Sequence, residues 1–236
     1  MNRTLTALLL ILAAVLANVG FTALGSIFNY PDVLDAPAGA VLADFRDNQG
    51  AISAWFGVLA LSAALLAPIA IGVGRLSSAR AMRVAVRVGI AAAVVQVIGL
   101  LRWPVLVPGY ASDAASGDAG VAAAARDSFR TASDILGTAT GETLGYLLTA
   151  AWTVLVLVAL GRRYAGRWFP VLGGASAALV LVGVLSPLDL PVVDTANFAG
   201  YVLWSLWLIA FAIVILMRGR RTAASPSTSE RDAVTT

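Results

Sequence analysis

Six apolar runs, each long enough to cross a bilayer as a helix, decide what this chain can fold into. A hydrocarbon layer of about 30 Å needs roughly 20 helical residues at a rise of 1.5 Å each. The runs are Leu5–Phe28, Ala51–Gly74, Val84–Val107, Ile135–Leu160, Phe169–Leu188 and Ala196–Met217. In lipid every backbone polar group must be satisfied within the structure, so runs of this length predict an all-α polytopic transmembrane bundle. The fifth run is the weakest, opened by Gly173-Gly174 and closed near Pro187, and it predicts the least regular helix. Composition supports the same reading: at 59% hydrophobic and 12% charged residues, the chain has too little charge for a water-facing surface. Residues 1–221 therefore form a transmembrane domain, and the Ser/Thr-rich residues 222–236 read as a disordered tail.

The charges between the runs alternate in sign. Arg3, then Arg75, Arg80 and Arg83, then Arg162, Arg163 and Arg167, then Arg218, Arg220 and Arg221 flank one set of ends. The other set carries Asp32, Asp35, Asp44 and Asp47, then Asp113, Asp118, Asp127 and Asp134, then Asp189 and Asp194. Arginine favours the cytoplasmic side, so both termini are expected inside and the acidic connectors outside. The formal charge of +3 is thereby assigned to membrane topology, with the lipid bilayer as partner and no nucleic acid. Exclusive use of Arg over Lys, in an Ala-rich chain, points to a high-GC bacterial genome and so to the bacterial inner membrane.

The N-terminal run Leu5–Ala17 imitates a secretory leader, but the apolar stretch continues to Phe28 and reads as a first span. Two acidic connectors carry helical periodicity of their own. Val41, Leu42 and Phe45 in the first, and Val121, Ala125 and Phe129 in the second, predict short amphipathic helices on the outer face. A weak internal repeat relates Gly99-Leu100-Leu101-Arg102-Trp103-Pro104 to Gly183-Val184-Leu185-Ser186-Pro187, near the ends of the third and fifth runs.

Missing residue types remove whole chemistries. The sequence has no His and no Cys, and all 16 of its Lys+Arg positions are Arg. Thiolate nucleophiles, iron–sulfur ligation, imidazole bases, ordinary haem and zinc sites, lysine Schiff bases and the phosphate loop with its Gly-Lys-Ser/Thr are all excluded. No cofactor is expected and no catalytic constellation is found, so the reading leans away from an enzyme.

Ionisable groups inside a span are costly and by default functional. Arg102 in the third run and Glu142 in the fourth stand out, each about 8 to 12 Å below the outer surface by residue count. The fourth run also holds a polar stripe of Asp134, Thr138, Glu142, Tyr146, Thr149 and Thr153, beside a ridge of Gly137, Gly141 and Gly145. The ridge is a packing surface of the GxxxG kind. The functional reading is an outward-facing polar cavity lined by Asn18, Arg102, Glu142, Tyr146, Asp189 and Asn197. Arg102 would bind an anionic group, or Glu142 would take up a proton or cation. The competing reading is an Arg102–Glu142 pair that only fixes helix packing. The aromatics Tyr30, Trp55, Trp103, Tyr110, Tyr164 and Trp168 are expected as interface anchors.

The closing segment, Asn197-Phe198-Ala199-Gly200-Tyr201-Val202-Leu203-Trp204-Ser205-Leu206-Trp207-Leu208, resembles that of a bacterial family of multi-pass membrane proteins known only as a domain of unknown function. Trp168-Phe169-Pro170 after the arginine-rich turn is similar to the same family. The resemblance implies a six-helix layout and brings no activity, substrate or catalytic residue. Two roles follow for comparison. One is a protein that binds or transports a small ligand or ion through the polar cavity. The other is a regulatory or scaffolding subunit that joins a second copy, or another membrane protein, through the glycine ridge or outer connectors.

Overall fold

The computed structural model describes residues 2–188 and 190–223, and among these residues there is no strand. Six helical segments are long and apolar enough to cross a membrane: Arg3–Phe28, Gln49–Gly74, Arg80–Ala114, Ala119–Leu160, Trp168–Leu188 and Val192–Gly219. All six expected runs lie in these spans. Several spans begin or end well beyond the runs, because the polar connector continues the helix instead of breaking it.

The first span is α1 (Arg3–Phe28), whose first turn is capped by the Asn2 side chain accepting from the Leu5 amide at 2.7 Å. A short 3₁₀ turn and α2 (Ala38–Asp47) follow. The second span is divided into α3 (Gln49–Ala64) and α4 (Leu66–Gly74). Pro68 has no amide to donate back to the carbonyl four residues earlier, which places the break at Leu65. The third span joins α5 (Arg80–Val105) to α6 (Val107–Ala114), with Pro104 and Pro108 bracketing the joint at Leu106.

The fourth span is the least regular. It starts in α7 (Ala119–Ala132), passes through a π-helix over Ser133–Leu144, and ends in α8 (Gly145–Leu160). The helix foreseen in the second acidic connector is therefore continuous with the span. Its buried face is Ala122, Ala125 and Phe129, while Val121 is exposed, a one-residue rotation from the expected face. A short α9 (Arg162–Ala165) lies between Gly161 at φ 61° and Gly166 at φ 85°, backbone conformations that favour glycine. Span five is α10 (Trp168–Val182) continued by a 3₁₀ segment over Gly183–Leu188, and span six lies within α11 (Pro191–Ala223).

The spans form a closed ring in chain order. Helix α1 packs on α3, α3 and α4 on α5, α5 on α8, α8 on α10, α10 on α11, and α11 back on α1. Large apolar side chains remain exposed around its outside, Val158, Val171 and Val192 among them, as a lipid-facing surface requires. At the acid-rich end, α2, α6 and α7 pack on one another and bury Val41, Leu42, Phe45, Ala111 and Phe129, so they cap the bundle. Trp103, expected at an interface, is instead fully buried at the centre of this region. It stacks on Phe56 at 4.7 Å and meets Phe28 edge-on at 5.2 Å, with Tyr30, Phe45 and Phe129 also around it. Its position next to Arg102, on the face turned to α3, explains the difference.

Candidate functional site

The π segment sets the geometry of the site. Its 12 residues wind more widely than an α-helix, and the Thr140 hydroxyl donates to the carbonyl of Ile135, five residues back, at 2.7 Å. Its glycines meet α5 with almost no space between backbones. A methyl group added at Gly99 would lie 2.6 Å from the Gly141 Cα, and one added at Gly141 would lie 3.0 Å from the Gly99 Cα. Gly145 faces Gln96 and Gly137 faces the Arg102 guanidinium in the same antiparallel register. The whole ridge thus faces α5 of its own chain.

That register also decides how the two charges meet. Helices three and four are neighbours, but Gly137 stands opposite Arg102, and Glu142 lies more than one turn further along. Neither Arg102 nor Glu142 takes part in an ion pair among the described residues, so a direct Arg102–Glu142 bridge is absent. Arg102 is buried, donates from Nη1 to the Gly99 carbonyl at 2.7 Å, and places its Cζ 5.3 Å from the Trp103 ring centre. Its Nε is buried with no partner. Glu142 is half-buried, within electrostatic reach of Arg102 and Asp194.

The other expected residues fall into distinct settings. Tyr146 joins Glu142 and stands edge-on to Tyr201 at 5.8 Å, with Gly183 packed against it. Asn197 is buried and donates to the Val180 carbonyl at 2.8 Å, tying the end of α10 to α11. Asn18 donates to the Ala14 carbonyl at 2.7 Å and to the Ser205 hydroxyl at 2.9 Å, linking the first and last spans. Asp189 lies outside the described residues. Glu142 is therefore brought near both Arg102 and Tyr146, Asn197 meets Tyr146 at Gly183 while bonded to α10, and Asn18 is engaged in a tie between the first and last spans.

Sequence reading missed Tyr30 and Asp194 as members of the group. Tyr30 sits half-buried against Phe56, at 5.1 Å between ring centres. Burial pushes its phenol up to about 12, the Glu142 carboxylate pushes it in the same direction, and Arg102 opposes them. The phenol therefore keeps its proton across physiological pH and remains a donor. No sequence signal separates this tyrosine from an interface anchor, because its partners come from three other helices. Gln96 of α5 donates at 3.2 Å to the Thr149 hydroxyl on the polar stripe.

Two concavities lie elsewhere. One of about 280 Å³ lies between the cap helices α2, α6 and α7, and one of about 440 Å³ is beside Arg162 and Arg167 at the arginine-rich end. Neither is lined by any of the six expected cavity residues. Among the described residues, no three His, Cys, Asp or Glu side chains come together as a metal site would require.

A closed ring of six apolar helices with charged groups confined to its interior and its ends defines a multi-pass membrane protein. The family model described as Domain of unknown function (DUF4386) matches residues 5–212, and the chain belongs to that family. No curated protein and no solved structure matches it.

Proposed function

We propose that this is a plasma-membrane protein of a bacterium, with both termini cytoplasmic, that takes up a proton or small cation at Glu142 from the acid-rich side. The observation that carries the reading is Glu142 itself, a carboxylate inside a membrane span with neither a hydrogen bond nor an ion pair among the described residues. A group so expensive to place in a bilayer is seldom left without a task. Its setting supports uptake. Arg102 is near enough to balance the charge but is held on the Gly99 carbonyl, so the carboxylate oxygens stay available to an incoming cation. Tyr30 and Tyr146 supply phenol groups around the same position. A wide π-helical turn beneath the carboxylate is a feature often found at functional sites. The scaffolding role has less behind it, because α5 already fills the glycine ridge.

The test is a titration of purified protein in zwitterionic nanodiscs with protons, sodium, potassium and methylammonium, read as thermal stability. The wild type is expected to gain stability with one of these, and Glu142→Gln to stay folded and lose that dependence. An identical response from Glu142→Gln would overturn the proposal.

A further inference from the structure

At the acid-rich end, positive charge is scarce and its placement is informative. Apart from Arg102 inside the third span, the arginines among the connectors of this end are Arg46, Arg126 and Arg130. Arg130 is neutralised by Asp127 at 3.3 Å. Arg46 and Arg126 have no hydrogen-bond or ion-pair partner among the described residues. They come from different helices, α2 and α7, yet both line the same concavity of about 280 Å³ between the cap helices. No carboxylate lines it, although Asp44 and Asp47 flank Arg46 in sequence.

The cavity is shaped as well as charged. Its lining also includes apolar side chains, Leu42 and Ala111, both buried, and Ala114. Gly39 makes room for one of the two cations: a methyl group added there would lie 3.4 Å from the Arg126 Nε. Two arginines and a set of small apolar side chains lining one recess match an oxyanion attached to a small apolar body. Arginine forks bind phosphate and carboxylate with paired hydrogen bonds. The volume is close to the low end of the roughly 300–1,000 Å³ typical of small-molecule sites.

We propose that the recess between α2, α6 and α7 is a binding site for a phosphate or carboxylate group, clamped between Arg46 and Arg126. It is separate from the Glu142 region and takes a ligand of opposite charge. The bound group comes from a soluble organic anion or from the headgroup of an anionic lipid, and the two sources are separable.

In the first arm, protein in phosphatidylcholine nanodiscs is titrated with butyl phosphate by calorimetry. In the second, phosphatidylglycerol retained through detergent purification is counted by native mass spectrometry. Arg46→Gln and Arg126→Gln are compared with Arg130→Gln, which removes a paired arginine outside the recess. Both test residues are exposed, so helicity measured by circular dichroism is expected to be unchanged. A soluble ligand predicts saturable butyl phosphate binding that weakens about tenfold or more in each test variant, since a charged hydrogen bond is lost. A lipid ligand predicts no butyl phosphate binding, with phosphatidylglycerol kept by the wild type and lost by both test variants. In either case Arg130→Gln behaves as wild type. The proposal is overturned if neither ligand separates the test variants from wild type, or if Arg130→Gln loses binding as they do.

Discussion

The two ends of the ring interior are built differently. At the arginine-rich end the buried apolar cluster draws on all six spans, from Ala7 and Leu10 through Ile69, Ala92, Trp152 and Phe169 to Trp207 and Phe211. At the acid-rich end the apolar cluster uses the first three spans and the cap, around Trp103. The facing parts of spans four to six contribute Glu142, Tyr146, Asn197 and Tyr201 in place of a continuous apolar surface. One end is cemented on every side, and the other on half of its circumference. The contrast is one of composition and not of closure, since the Gly99–Gly141 approach and the α2–α6–α7 cap still hold span four against span three at the second end.

The largest expected effect tests the cemented end. Trp152 is fully buried, packed against Trp204 and Trp207 at 6.2 and 6.0 Å, and set over Gly89 of the neighbouring span. Trp152→Ala is expected to cost about 3–5 kcal/mol through lost contacts and a cavity. The measurement is the unfolding midpoint in a mild detergent. A loss no greater than that for a side chain in the polar half would dissolve the contrast between the two ends.

The next effect tests the seam between α5 and the π segment. Gly141→Leu forces a side chain against the Gly99 backbone, where even a methyl group has only 3.0 Å. Overpacking of this order costs about 1–3 kcal/mol. Because Glu142 is the next residue, the variant is also expected to lose the cation response, while the arginine-rich end keeps its packing. A variant with wild-type stability and response would mean that the close backbone contact does not position the site.

How much of this was legible in the sequence depends on the length scale of each signal. Spans are long and apolar, so their number and approximate place follow from composition along the chain. The joints also have visible causes in Pro68, Pro104 and Pro108. The π segment has none: Gly137 and Gly141 read equally well as an α-helical ridge, and only the approach of Gly99 reveals what they serve. Arg102 and Glu142 announce themselves as charges in an apolar run, but their mutual distance depends on the register of two helices, which no single helix encodes. Tyr30 lies beyond the first span and reaches the site through a turn, so neither periodicity nor charge marks it. Trp103 was misplaced for a related reason, because its depth near the end of a run fits an interface anchor as well as a buried hub.

The smallest expected effect probes where the polar half begins. Asn18 joins the first span to the sixth by its bond to the Ser205 hydroxyl at 2.9 Å, and it also donates to the Ala14 carbonyl. A single polar bond between membrane helices contributes only about 0.6 kcal/mol on average, since the separated helices find other partners. Asn18→Ala is therefore expected to shift the unfolding midpoint slightly and to leave the Glu142 response intact. Its value is in the pairing with Ser205→Ala. If the two substitutions together cost no more than either alone, the bond is one structural tie between the ring's first and last helices. If Asn18→Ala instead abolished the cation response at unchanged stability, the site would extend from Glu142 across the ring to α1, and the boundary between the polar half and the closing seam would have to be moved.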